Sequence, residues 1–136
     1  MKKLKNKVAL ITGASSGIGA GVAVAFAREG ADVVINFPGK KQEKNARAVA
    51  SAVRKAGRKA LLVQADVSKE APVKRMVNAA LKRFGRIDVL VNNAGIASSA
   101  PVEDMPPAMW DQMIVTNLRS VFLCTHFVLP QMYAAD

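Results

Sequence analysis

Short apolar runs of strand length alternate along the chain with longer stretches whose apolar residues recur at helical spacing. The first run, VALIT (Val8 to Thr12), is rich in β-formers and is closed by glycines. GIGAGVAVAFAREG follows as a helix stopped by Gly30, and DVVIN (Asp32 to Asn36) reads as the second strand. In KQEKNARAVASAVRKAG, Ala46, Val49, Ala50 and Val53 fall on one helical face and Gly57 marks the end. ALLVQAD is a third strand. Ser68 is placed to cap the next helix, KEAPVKRMVNAALKRFG, with Glu70 favouring its start and Pro72 confined to its first turn. IDVLVNNAG is a fourth strand. Beyond it, PPAMWDQMIVTN and LRSVFLCTHFVLPQMYAAD read as two helical stretches, the second bent or interrupted at Pro130.

Each strand is apolar along its whole length, as a strand must be when helices cover both faces of its sheet. Strand–helix–strand units at this spacing predict an α/β fold, a doubly wound parallel sheet with right-handed crossovers. A length of 136 residues suits one domain, and 51% hydrophobic with 22% charged residues suits a globular one. No apolar run reaches the roughly 18 residues that a bilayer span needs, so no membrane partner is expected. The apolar run after the basic N-terminus is too short for a signal sequence, and the single cysteine, Cys124, has no partner for an internal disulfide. A reducing cytoplasm is the expected location.

The net charge of +10 has two readings, a polyanion-binding surface or solvated helix faces. The lysines and arginines are dispersed among alanines at helical spacing, without the interleaved aromatics of a single-strand platform. Nucleic acid is therefore not an expected partner.

The candidate chemistry begins at TGASSGIG (Thr12 to Gly19), where the first strand hands over to the first helix. In a doubly wound sheet, ligands bind outside the carboxyl ends of the strands, where a helix N-terminus favours phosphate. Gly13, Gly17 and Gly19 let a pyrophosphate approach the backbone and the helix lie close to the sheet, while Ser15 and Ser16 add hydroxyl donors. A Rossmann-type dinucleotide site is expected. A ribose 2′-hydroxyl would be clasped by an acid at the end of the second strand, but that end reads Asn36-Phe37-Pro38. Lys40 and Lys41 follow, either to meet a 2′-phosphate or simply as solvated residues opening a helix. NADP(H) is thus favoured as cofactor, with NAD(H) the alternative. Asp66 is a candidate to bond the adenine amino group, or a turn residue before Ser68. Asn92 and Asn93 lie at the end of the fourth strand, beside the same cleft or tied to loop backbone.

TGASSGIG, Asp66-Val67, NNAG (Asn92 to Gly95) and TNL around Asn117 together resemble the short-chain dehydrogenase/reductase family in order and spacing. WDQMIVTNLRSVF and VLPQM look like its glucose 1-dehydrogenase and 3-oxoacyl-carrier-protein reductase branches. The resemblance implies hydride transfer between a nicotinamide and a small-molecule alcohol or carbonyl compound. It implies that Gly13, Ser15, Ser16, Gly17, Ile18 and Gly19 hold the cofactor, with Phe37 standing where NAD-dependent members carry an aspartate. It further implies that Asp66 and Val67 contact adenine, and Asn93 and Gly95 the neighbouring ribose and sheet edge. Asn117 matches the asparagine that orders a helix and a proton-relay water. The basic residues of NADP-dependent members are replaced by Ser16 and Pro38.

The family's catalytic serine, tyrosine and lysine have no counterpart in residues 1–136, which therefore read as the first half of the fold, about four strands, ending before that segment. Tyr133, the only tyrosine, follows Asn117 too closely to serve and sits in a helix tail. The expected assembly is a homo-oligomer or a chain completed by a carboxyl-terminal segment, and the expected activity of these residues alone is nil. A non-catalytic NADP(H)-binding sensor or interaction module would share the same motifs. Cys124 and His126 read as helix packing residues, too few and wrongly spaced for zinc. Met105, Met109 and Met113, near Trp110, read as core packing.

Overall fold

The computed structural model describes residues 1–135. Four parallel strands, β1 (Val8–Ile11), β2 (Asp32–Phe37), β3 (Ala60–Gln64) and β4 (Val89–Val91), lie in the order β3-β2-β1-β4. Helices α1 (Gly17–Arg28), α2 (Glu43–Lys55) and α3 (Glu70–Phe84) make the crossovers. The doubly wound parallel sheet expected from the apolar runs is the one observed.

The register shows why the strands are apolar throughout. Leu10 and Val34 face one core with Val73, Met76 and Val77 of α3, while Ala9, Ile11, Val33 and Ile35 face a second core with residues of α1 and α2. Neighbouring side chains of one strand point to opposite faces, and both faces are covered. Helix α1 presents only Gly19, Ala23 and Ala27 to the interior, one residue every fourth position, so it lies close against the sheet.

The end of the chain departs from the two-stretch expectation. After a single 3₁₀ turn (Val102–Asp104), α4 (Pro107–Ile114) passes through a π turn (Val115–Arg119) directly into α5 (Ser120–Ala134). Helix α5 continues through Pro130. The proline leaves the His126 carbonyl without its usual donor, and that residue is exposed, where water can substitute. The run Pro107–Ala134 is long and apolar enough, by length and composition, to cross a membrane. In this fold one face of α5 is instead core: Leu123, Cys124 and Val128 are buried with the α3 residues.

Three local expectations change. Ser68 does not cap α3: the cap position is Lys69, and the Ser68 hydroxyl donates to Asp66 Oδ1 at 2.6 Å. Met105, before α4, and Met109 and Met113, within it, are only half-buried and lie outside both cores; α4 buries none of its residues. Cys124 is core, as expected, whereas His126 is exposed and meets Phe122 in a tilted ring pair and Phe127 edge-on.

At the amino ends of the strands, Gln131 of α5 clasps Ile87 by both backbone groups. The Ile87 N–H donates to Oε1 at 3.1 Å and Nε2 donates to the Ile87 carbonyl at 2.8 Å. Beside it, Asp88 accepts from the Val8 N–H at 2.8 Å and pairs with Arg86. Burial alone would raise the Asp88 pKa; the bonds from Arg86 and Val8 and the charges of Arg86 and Lys7 outweigh it and hold the carboxyl below its ordinary range. Strand β4 pairs only with β1 among the described residues.

Candidate functional site

At the carboxyl ends of the strands the chain forms a cleft of about 460 Å³. The first turn contributes Gly13, Ser15, Ser16 and Ile18, the end of β3 contributes Asp66 and Val67, and the end of β4 contributes Asn93 and Gly95. Eight of the residues expected from the motifs therefore share one wall system. Three segments far apart in sequence are brought together because β1, β2, β3 and β4 all run the same way and end at the same level.

The turn is shaped by two glycines with no room for a side chain. Gly13 has φ +60°, and a Cβ there would stand 2.8 Å from the Ala94 Cα. A Cβ on Gly19 would stand 2.4 Å from Asn93 Nδ2 and 2.6 Å from the Gly13 carbonyl oxygen. These distances are incompatible with any larger residue. Ser16 precedes α1 in extended conformation, makes no capping bond, and no acidic residue lies in the helix's first turn. The free N–H groups of that turn and the positive end of the helix dipole suit an anion.

The end of β4 is bolted to this turn. The Thr12 hydroxyl oxygen accepts from the N–H groups of Asn93 (3.0 Å) and Ala94 (2.9 Å). Asn93 Nδ2 in turn donates to the carbonyls of Thr12 (3.0 Å) and Gly13 (3.1 Å). Asn93 thus satisfies loop backbone while lining the cleft. Asn92 is exposed and reaches the Thr125 hydroxyl at 3.4 Å. Asp66 lines the cleft and serves as a turn residue: Oδ1 accepts from the Ser68 N–H at 3.0 Å and from its hydroxyl, and Oδ2 stands 3.9 Å from Lys69 Nζ.

Gly17, Gly19, Phe37 and Asn117 do not line the cleft. Phe37 is 4% exposed, its ring packed in the core that α1 and α2 share. Pro38 and Gln42 take the rim at that point, while Lys40 and Lys41 are exposed beside them in a 3₁₀ turn (Lys40–Gln42). Asn117 sits in the π turn and grips the loop after β4: Oδ1 accepts from the Ile96 N–H at 2.8 Å and Nδ2 donates to its carbonyl at 2.9 Å. Its Oδ1 would be 3.1 Å from a Cβ at Gly95, so this glycine lets the clasp close.

Cleft residues that the motifs did not supply include Asn36, Pro38, Gln42 and Ala65, while Thr116 of the TNL motif lines the cleft in place of Asn117. A polar residue closing an otherwise apolar strand was the available signal for Asn36.

The family model described as short chain dehydrogenase matches residues 7–136. The chain belongs to the short chain dehydrogenase family. It is 43% identical over 127 residues to the 3-oxoacyl-[acyl-carrier-protein] reductase FabG of Staphylococcus epidermidis, covering 93% of this chain and 51% of that protein. It is 42% identical over 135 residues to a D-beta-hydroxybutyrate dehydrogenase of Cupriavidus necator, covering 98% and 50%. A short-chain dehydrogenase/reductase structure from Serratia marcescens, a substituted variant, superposes with a TM-score of 0.89 at 38% identity, over 94% of this chain and 51% of that one. The chain thus spans about half the length of the relatives it matches, and those relatives are oxidoreductases.

Proposed function

We propose that residues 1–136 form the cofactor-binding half of an oxidoreductase that moves a hydride between NADP(H) and a small alcohol or carbonyl compound. The observation that carries this reading is the glycine turn, where Gly13 and Gly19 exclude any side chain and the uncapped start of α1 opens on a cleft lined by Asp66. A bound nicotinamide would supply the hydride donor or acceptor. The chain's own contribution is to seat phosphate against the turn, hold adenine near Asp66 and Val67, and fix the loop after β4 through Asn93 and Asn117. In this reading a serine, a tyrosine and a lysine outside the sequence complete the chemistry, so these residues alone turn over little substrate.

NADP(H) is favoured over NAD(H) because the end of β2 offers no carboxylate to a 2′-hydroxyl, and Lys40 and Lys41 place positive charge beside the rim. A homo-oligomer in the cytoplasm is the expected setting. The titration of choice is nucleotide fluorescence on adding the chain to NADPH or NADH. Tighter binding of NADPH, by roughly tenfold, is expected, and the double substitution Lys40→Glu, Lys41→Glu should abolish the difference. Equal affinity of the unaltered chain for both nucleotides would refute the preference. No binding of either would refute the cofactor reading.

A further inference from the structure

Asn36, the penultimate residue of β2, is 1% exposed, and its side chain is fully engaged. Oδ1 accepts from the Gly13 N–H at 3.1 Å, while Nδ2 donates to the carbonyls of Val63 (3.3 Å) and Ala65 (3.1 Å). Its own carbonyl accepts from the Ala14 N–H at 2.8 Å. One buried amide therefore ties the turn after β1 to the end of β3. Both segments continue straight into the cleft wall, the first through Ser15 and Ser16, the second through Asp66 and Val67.

The position demands an acceptor on one side and two donors on the other, within the reach of a single methylene. Only asparagine meets that demand: aspartate offers no donor, serine has one proton, and leucine leaves Gly13 and two carbonyls unpaired in the interior. Ladder bonds already hold β2 to β3 through Phe37 and Ala65, so the sheet does not require this bridge. What the bridge adds is a fixed distance between two halves of a binding surface.

We propose that Asn36 is a positioning residue that sets the phosphate-side turn and the adenine-side wall of the cleft relative to each other, so that one ligand spans both. The inference rests on the cofactor reading above. It predicts that a ligand bridging both walls loses affinity when Asn36 is removed, while ligands touching one wall do not.

The test is calorimetric titration of the chain with ADP, with adenosine and with inorganic pyrophosphate. Asn36→Ala should weaken ADP by about tenfold or more and leave the two fragments within about twofold. Val34→Ala, a cavity in the same strand, should leave ADP close to the unaltered affinity at a comparable loss of melting temperature. An ADP affinity unchanged in Asn36→Ala, or reduced as much by Val34→Ala, overturns the inference. Should Asn36→Ala not fold, the unaltered chain decides by NMR: the Asn36 side-chain amide resonances should move with pyrophosphate alone and with adenosine alone. Resonances that respond to only one of the two, or to neither, overturn it. An unaltered chain that binds no ADP overturns the cofactor reading first and this inference with it.

Discussion

Gly19 and Gly21 lie two residues apart in α1 and have opposite requirements. A methyl at Gly19 collides with Asn93 Nδ2 and the Gly13 carbonyl, whereas a Cβ at Gly21 meets nothing within 4 Å. Gly19→Ala should weaken NADPH by about tenfold or more and lower the melting temperature by several degrees, because the turn itself must shift. Gly21→Ala should instead stabilise by up to about 1 kcal/mol, the helix-propensity gain, with binding intact. Thermal melts with and without NADPH check both. Cys124 gives a pH-dependent case. Burial pushes its thiol from 9.0 up to about 11, so above pH 9 the unfolded chain ionises this thiol while the folded chain does not. Its stabilising effect is full below pH 9 and is lost as pH rises toward about 11, by at most about 2–3 kcal/mol. Urea unfolding at pH 8 and pH 10.5 should show a steeper alkaline loss for the native sequence than for Cys124→Ala.

The π turn carries Asn117, whose amide holds both backbone groups of Ile96. One residue extra in a turn rotates the α5 face relative to α4, which is how α5 buries Leu123, Cys124 and Val128 while α4 buries nothing. Asn117→Ala should release the loop after β4. Amide exchange at Ile96 is expected to speed by about tenfold or more while β1 amides keep their protection, a pattern that hydrogen-exchange NMR resolves. Equal acceleration across β1 would show that the clasp supports the whole sheet. Strands and the first three helices were legible because their apolar spacing and closing glycines are local signals. The joining of α4 to α5 was not, because the π turn at Val115–Arg119 has no local sequence signal, and neither was the passage of α5 through Pro130, which depends on the exposure of the His126 carbonyl, a tertiary property. The same limit misplaced two side chains: Ser68 satisfies Asp66 instead of the helix end, and Phe37 turns into the core, leaving the rim to Pro38 and Gln42. The placement of the glycine turn, Asp66 and Asn93 at one cleft was legible since each follows the end of a parallel strand, whereas the bonding role of Asn36 needs three segments that only folding brings together.

Across the whole molecule, two surfaces lack cover among the described residues: the outer edge of β4 and an apolar strip that runs from Leu118 of the π turn to Val121 and Phe122 of α5. A contiguous apolar strip on a helix, next to an open strand edge, favours association. Sedimentation at micromolar concentration should therefore give a mass above the 14.5 kDa of one chain, and Phe122→Lys should shift it toward the monomer. A native chain that sediments as a monomer with a sharp, reversible melt would refute this. The clasp of Gln131 on Ile87 bears on how that edge is used. It imitates one rung of a strand ladder with a side chain, satisfying both backbone groups just ahead of β4. A strand arriving at the edge finds that rung taken and cannot slide past it toward the amino end of β4. For any strand that docked there, the glutamine would act as a stop that sets the phase of docking, and with it which residues of the added strand face each core.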